Sequence, residues 1–196
     1  MTTRRATLAL SVLLALGLGA CSRDDKPAPA AAPGAMSPAQ AFEAVAAQGR
    51  GFNVGTLMSA NPVYVLFDPQ CPHCGHLWNA ARPLQNNMKF VWIPVAILGP
   101  KSLPQGAALM QAADPVQAMN DHEQSLLAGQ GGTSASASVP DDISDAIKAN
   151  TALLNSLGAE SVPFIVARHA RSGEVVTRAG SMDTAALVNF LGMGER

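Results

Sequence analysis

An apolar run that leads into two closely spaced cysteines decides the fold of this chain. The run Pro62–Phe67 (PVYVLF) is continuous and hydrophobic, as expected of a strand buried on both faces. A turn is predicted at Asp68–Gln70, followed by a helix from Cys71 to about Asn86. The sequence therefore predicts a strand–turn–helix unit that carries Cys71-Pro72-His73-Cys74 at the start of its helix.

The position of the two cysteines favours redox chemistry. A residue at a helix N-terminus faces unpaired backbone N–H groups and the positive end of the helix dipole, so Cys71 is favoured as a thiolate. Pro72 costs no hydrogen bond at the first helical position, and His73 offers the sulfur a positive charge or a hydrogen bond. Cys74 can resolve a mixed disulfide by intramolecular attack. Cys71 and Cys74 are the predicted catalytic residues, with Pro72 and His73 modulating them and their redox-active disulfide as the reactive group in place of a separate cofactor.

The other predicted elements complete an α/β domain. They are, in chain order, a helix to Gln48 capped by Ser37, a strand Phe52–Leu57, a strand Lys89–Leu98, a helical section Ser102–Leu127 broken near Asp114-Pro115, a helix Asp141–Leu157, a hairpin of Phe164–Arg168 with Glu174–Arg178, and a helix Thr184–Leu191 capped by Asp183. The Gly/Ser-rich segment 129–139 is predicted to be a flexible connection. This order is that of a thioredoxin-like fold with a helical insertion.

The N-terminus reads as a targeting segment rather than as part of the fold. Two arginines precede an apolar stretch of 14 residues, Ala6–Gly19, which is short for a membrane span but suits a signal peptide. The following Leu18-Gly19-Ala20-Cys21 resembles a bacterial lipobox, in which the cysteine is lipidated. We expect a lipid anchor on Cys21, and Ser22 after it favours the outer membrane; an ordinary cleaved signal with an incidental cysteine is the alternative.

Four segments follow from this pattern. Residues 1–20 are predicted to be a lipoprotein signal peptide, and residues 21–35 a disordered tether because they are rich in Pro and Ala without apolar periodicity. Residues 36–60 are predicted to hold a short helix and a lead-in strand, and residues 61–196 the thioredoxin-like catalytic domain. The expected location is the periplasm, with the chain held to a bacterial membrane by its lipid.

Composition and cysteine count narrow the function. The formal net charge is −1 with 14% charged residues and no Lys/Arg cluster, so nucleic-acid binding is not expected. Of the three cysteines, Cys21 is assigned to the lipid and the other two form one C-x-x-C. A disulfide that closes so small a ring stabilises a fold little, which favours a chemical role.

Metal binding is the alternative for the same residues. Cys71, His73, Cys74 and His76 offer four potential ligands in six residues, and a copper-handling or metalloprotein-assembly lipoprotein would use the cysteines in this way. Zinc sites normally draw a second ligand pair from elsewhere, so we predict no metal site. Covalent haem attachment requires a histidine directly after the second cysteine, where this chain has Gly75.

The segment Tyr64–Cys74 resembles the catalytic domain of the DsbC/DsbG family, and of its DsbG branch most. The likeness continues through Trp78, Ala81-Arg82-Pro83, Asp114-Pro115, Asn155–Ala159 and Val162-Pro163. The resemblance implies a thioredoxin fold and periplasmic disulfide isomerisation or reduction of exported proteins with cysteines. It also implies a cis-proline at Pro163, with Val162 presenting backbone to an extended substrate, and a membrane Dsb-type redox partner.

Departures from the family pattern alter these expectations. Only some 25 residues precede the catalytic domain after the tether, so the family's dimerisation domain is largely missing and a monomer is expected. Val162 and His73 stand where the family usually has Thr and Tyr, and both are features of DsbA. An oxidase is therefore an alternative to an isomerase or reductase. Val65 occupies the position where thioredoxin and DsbA carry a buried acid, so water or another group must take up the proton of Cys74.

Simpler roles are expected for the remaining candidates. Asp68 is interpreted as a turn residue that prepares the helix, ahead of a proton-relay role. His76, His122 and His169 are expected to be solvent-exposed. Trp78 and Trp92 are expected in the core or lining a groove.

Overall fold

The computed structural model describes residues 36–56, 58–59 and 61–194. The predicted signal peptide, the lipidation site Cys21 and the tether lie outside the described residues. Within them, one sheet contains five strands: β1 (Phe52–Gly55), β2 (Val63–Phe67), β3 (Lys89–Pro94), β4 (Phe164–Arg168) and β5 (Val175–Ala179). Six α-helices accompany it: α1 (Pro38–Gln48), α2 (Pro72–Ala81), α3 (Ser102–Gln111), α4 (Pro115–Leu127), α5 (Asp141–Ser156) and α6 (Thr184–Phe190).

The sheet is mixed, with spatial order β1-β3-β2-β4-β5. The central strands β2 and β3 run parallel, from Val63 opposite Phe90 to Phe67 opposite Pro94. The other three pairings are antiparallel. Consecutive burial of residues 65–67 shows that both faces of β2 are covered, because successive side chains point to opposite faces. Three helices between β3 and β4 form the predicted helical insertion.

Helix ends follow the predicted signals. Ser37 caps α1 with the reciprocal bonds of a capping box, and Asp114 and Asp183 cap α4 and α6. α2 ends at Ala81 rather than near Asn86, because Pro83 lies in a single 3-10 turn, Arg82–Leu84. A proline in a helix interior removes one backbone hydrogen bond and crowds the preceding turn.

Two strands are shorter than predicted. β1 ends at Gly55, whose φ of 91° turns the chain away, and the next N–H, of Thr56, donates to the carbonyls of Gln85 and Met88. β3 ends at Pro94 rather than at Leu98, because the N–H groups of Ile97 and Leu98 donate to a side chain instead of to a neighbouring strand.

Aromatic side chains fill the centre of the core. Trp78 from α2 and Trp92 from β3 are fully buried, with ring centroids 5.1 Å apart in an edge-to-face arrangement. Phe67 packs against Trp92 at 5.5 Å in the same way. Such pairs each add about 0.5–1.5 kcal/mol beyond area burial. The core assignment of both tryptophans is confirmed.

None of the described helices is both long and apolar enough to cross a bilayer.

Candidate functional site

One edge of the sheet collects the predicted site residues. β2 ends at Phe67 and leads into the turn before Cys71, while β4, antiparallel to β2, begins directly after Val162-Pro163. The C-terminal end of β2 and the N-terminal end of β4 therefore lie at the same edge. The topology brings together residues that are about ninety positions apart in the chain.

The two cysteines occupy the first turn of α2. Cys71 is the N-cap residue, with extended backbone (φ −95°, ψ 110°), and Pro72 is at the first helical position. The N–H of Cys74 donates to the Cys71 carbonyl at 2.9 Å, which closes the turn. Cys71 is 5% exposed and Cys74 is fully buried, so only the first sulfur can meet a partner. Both cysteines are free thiols.

The surroundings push the pKa values of the two thiols apart. The pKa of Cys71 is lowered to about 6, mainly by a hydrogen bond from the Cys74 thiol, with smaller contributions from the backbone N–H groups of Cys74 and His73 and from the charge of His73. Burial opposes this lowering. The pKa of Cys74 is raised well above its ordinary value, first by burial and then by the neighbouring Cys71. At neutral pH the first sulfur is a thiolate and the second retains its proton.

The Val162–Pro163 peptide bond is cis, the geometry that the family resemblance implies. The Cys71 sulfur lies 3.5 Å from the carbonyl oxygen of Val162, close enough for the protonated thiol to donate a weak hydrogen bond. Val162 is 7% exposed, and Pro163 is buried. Val162 of the predicted substrate-binding pair thus lies against the predicted nucleophile, with Pro163 next to it in the chain.

Asp68 ties the turn before Cys71 to the loop after β3. Its Oδ1 accepts from the Gln70 N–H at 2.8 Å and from the Ser102 hydroxyl at 2.7 Å. Its Oδ2 accepts from the N–H groups of Ile97 at 2.7 Å and Leu98 at 3.0 Å. The carboxyl group is completely buried. It prepares the helix start, as the sequence indicates, and it also fixes a second loop that the sequence did not connect to it.

His122 was expected in solvent, and that prediction is wrong. The ring is fully buried, with Nε2 at 2.7 Å from the Pro69 carbonyl oxygen and Nδ1 at 3.2 Å from the Thr133 N–H. Because a carbonyl can only accept and an N–H can only donate, the ring is neutral with its proton on Nε2. Helical spacing from Met119 on α4 places the ring on the buried face.

Acid should weaken the fold through this histidine. Burial lowers the pKa of His122 in the folded protein, so the unfolded chain binds the extra proton first and stability falls as the pH drops below 6.5. We expect the stability advantage of the wild type over His122→Gln to shrink between pH 7 and pH 5. Urea unfolding at both pH values measures this, with His76→Gln as the exposed-histidine control. An advantage that stays constant across this range would contradict the assignment.

The Gly/Ser-rich segment is anchored at its beginning rather than free along its whole length. The Gln105 side chain donates to the carbonyls of Gly131 and Thr133, and the Ser125 hydroxyl donates to that of Gly132. Gly132 has a φ of 82°, and a Cβ at this position would collide with the His122 ring. The loop thereby joins the network that surrounds the active turn.

Glu123 is a buried residue near the site that the sequence analysis missed. It is 1% exposed on α4, which contacts α2. The signal was present in the sequence, because Met119, Glu123 and Leu126 fall at the i, i+4 and i+7 positions of one helix face. An acidic residue in that pattern indicates a carboxyl group facing the interior.

The remaining histidines are not buried in the site. His73 and His76 are both exposed, with ring centroids 6.3 Å apart, which agrees with the expectation for His76. His169 is only half-buried, and its Nδ1 lies 3.1 Å from the Ser172 hydroxyl. Among the described residues, no group of three or more His, Cys, Asp or Glu side chains is placed to hold a metal ion.

The chain is similar in sequence to two curated proteins over part of their length. No family model matches the chain. The chain is 32% identical over 133 residues to the thiol:disulfide interchange protein DsbG of Pseudomonas aeruginosa, a match covering 66% of this chain and 50% of that protein. It is 30% identical over 105 residues to DsbG of Escherichia coli, covering 53% of this chain and 42% of that protein. The chain therefore spans about half the length, or less, of these curated relatives.

Solved structures share the fold at low sequence identity. The catalytic domain of Proteus mirabilis ScsC superposes with a TM-score of 0.60 at 17% identity, covering 78% of this chain and 93% of that one. The thiol-disulfide exchange protein α-DsbA2 of Wolbachia pipientis gives 0.56 at 19% identity, covering 79% and 94%. These structural likenesses confirm the thioredoxin-like fold. In sequence, the chain is similar to DsbG-type thiol:disulfide interchange proteins over about half of their length.

Proposed function

We propose that this protein is a thiol:disulfide oxidoreductase that acts on exported proteins in the periplasm. The observation that carries the proposal is the difference in protonation and exposure between the two cysteines in the first turn of α2. One sulfur, on Cys71, is stabilised as a thiolate and is 5% exposed, and its neighbour, on Cys74, stays protonated and completely buried. The sequence match to two proteins named thiol:disulfide interchange protein supports the same reading.

The proposed reaction proceeds in two exchanges. The Cys71 thiolate attacks a partner disulfide and forms a mixed disulfide, and one partner sulfur leaves as a thiolate. Cys74 then attacks the Cys71 sulfur, which forms the Cys71–Cys74 disulfide and releases the second partner sulfur. The partner is reduced by two electrons and the protein is oxidised by two. The reverse sequence oxidises a partner dithiol, and release without resolution permits isomerisation.

The surroundings of Cys71 suit a polypeptide partner. Val162 lies against the sulfur, and Val162-Pro163 directly precedes β4, where an extended segment can align with the backbone. Ile97 and Leu98 are 40% and 54% exposed, and Asp68 fixes their backbone at the same edge of the sheet. We propose that these apolar side chains contact the partner on the other side of Cys71.

The cellular setting belongs to the same proposal. The lipobox-like sequence at Cys21 supports a lipid anchor, with the outer membrane favoured, and a membrane Dsb-type protein would restore the redox state of the cysteines. The redox state in cells separates the finer activities, because an oxidase is held mostly as the disulfide and an isomerase or reductase mostly as the dithiol. Sizing of the soluble form tests the expected monomer, which a stable dimer would contradict.

Alkylation of the reduced protein at varied pH tests the proposed activity. We expect one thiol, Cys71, to react with iodoacetamide with a midpoint near pH 6, while Cys74 stays unreactive over the neutral range. The control is Cys74→Ala, which should raise the midpoint because the hydrogen bond from the second thiol is lost. A midpoint near 9 in the wild type would contradict the proposal. Tight stoichiometric copper binding with redox-silent thiols would favour the metal-handling alternative.

A further inference from the structure

A carboxyl group is buried beside the active helix without a hydrogen-bond partner. Glu123 is 1% exposed, and neither Oε1 nor Oε2 accepts a hydrogen bond from any residue in the described ranges. Asp68, a second buried carboxyl group near the site, accepts four hydrogen bonds. Removing a carboxyl group from water without a replacement partner is costly, so the two acids serve different purposes. Asp68 holds loops in place, whereas Glu123 is free to exchange a proton.

The carboxyl group lies against the first turn of α2. A Cβ added at Gly75 would be 2.5 Å from Glu123 Oε2, so the glycine directly after Cys74 leaves the room that the carboxyl group occupies. A hydrogen bond of 2.9 Å from Trp78 Nε1 to Asn120 Oδ1 fixes α4 against α2. The Glu123 carboxyl group and the fully buried Cys74 thiol therefore lie in the same buried region between α2 and α4.

The thiols are the buried titratable groups that this carboxyl group meets. α2, α3 and β1 pack against α4. α3 and β1 carry no titratable side chain, and α2 contributes the two cysteines together with the exposed His73 and His76. His122, next to Glu123 in the chain, directs both ring nitrogens to Pro69 and Thr133. Of the two buried carboxyl groups near the site, Asp68 has its oxygens occupied by four hydrogen bonds, so Glu123 is the one free to receive a proton released there.

We propose that Glu123 takes up the proton of the Cys74 thiol during resolution and returns it in the reverse step. The inference rests on the proposed function. The Cys74 S–H bond breaks, its proton goes to the Glu123 carboxylate, and the sulfur attacks Cys71 Sγ of the mixed disulfide. The Cys71–Cys74 bond forms, the bond from Cys71 to the partner sulfur breaks, and that sulfur leaves with the electron pair as a thiolate.

The redox state of Cys71 changes the pKa of Glu123 in the direction that this proton transfer requires. The pKa of Glu123 is raised to about 8, first by burial and then by the negative charge of Cys71. In the mixed disulfide Cys71 carries no charge, so the second cause disappears and the carboxyl group ionises more readily. It becomes a proton acceptor at the step in which Cys74 must lose its proton. When Cys71 is again a thiolate, Glu123 holds its proton more firmly.

Stopped-flow mixing of the reduced protein with dithiobis(nitrobenzoate) separates the two exchanges. Attack by Cys71 releases one thionitrobenzoate, and attack by Cys74 releases the second. We expect Glu123→Gln to leave the first phase unchanged and to slow the second by roughly 10- to 100-fold at pH 7. The pH profile of the second phase should also lose the contribution of the carboxyl ionisation, which a purely structural role would not remove. Glu123→Asp, which retains a carboxyl group, should restore part of the rate.

The design contains its own controls. Asp121→Asn makes the same carboxyl-to-amide change on the exposed face of α4 and should leave both phases as in the wild type. The first phase reports native Cys71, so it shows whether each variant is folded. A second phase in Glu123→Gln with the wild-type rate and pH profile would overturn the inference, as would equal slowing in Asp121→Asn. A wild type without a fast first phase would instead overturn the proposed function.

Discussion

Replacing Cys71 with serine should reduce the rate of disulfide exchange by roughly three orders of magnitude or more, to the background rate measured without the protein. A serine oxygen cannot form a disulfide, and the 5% exposed sulfur of Cys71 is the one that a partner can reach. The measurement is reduction of a disulfide-bonded model protein by the reduced enzyme. Activity near the wild-type level would contradict the role of Cys71.

The companion variant Cys74→Ser should behave differently. The Cys71 thiolate still attacks, but resolution is lost, so a covalent adduct with the partner accumulates and is released by added thiol. Mass spectrometry of the adduct identifies the bonded cysteine. An adduct on the serine variant, together with none on Cys71→Ser, assigns attack to the first cysteine and resolution to the second. Fast turnover by Cys74→Ser without an adduct would contradict this order.

Asp68→Ala should lose about 3–5 kcal/mol of unfolding free energy. The substitution leaves four donors without their acceptor in a fully buried position: the N–H groups of Gln70, Ile97 and Leu98 and the hydroxyl of Ser102. Urea denaturation measures the loss. Because the same carboxyl group orders the turn before Cys71, the variant should also show slower alkylation of Cys71.

The matched control for this variant is Asp114→Ala. Asp114 also accepts backbone hydrogen bonds, from Val116 and Gln117, but at an exposed helix cap. Loss of such a cap costs about 1 kcal/mol, since water can replace the carboxylate. Equal losses in the two variants would show that burial adds nothing to the role of Asp68.

The local pattern of the sequence was sufficient for most elements and for the reactive pair. The apolar run before Asp68 predicts β2, and Pro72 after Cys71 marks the helix start, because both signals act over a few residues. The errors at strand ends have non-local causes. β3 stops at Pro94 because the N–H groups of Ala96, Ile97 and Leu98 donate to side chains instead of to a strand. Ala96 donates to Thr151, and the other two donate to Asp68, some thirty residues earlier in the chain.

The contacts of the buried polar groups could not be predicted from the sequence. The Cys-x-x-Cys spacing by itself predicted the reactive pair, and the strand–turn–helix pattern predicted correctly that Cys71 lies at a helix N-terminus. Only the tertiary structure decided that His122 is neutral and buried, that Val162 lies against Cys71, and that Glu123 sits behind Gly75. Helical and strand periodicity define which face of an element is apolar. What a polar group on that face contacts depends on which other element packs there, and that is set by the fold as a whole.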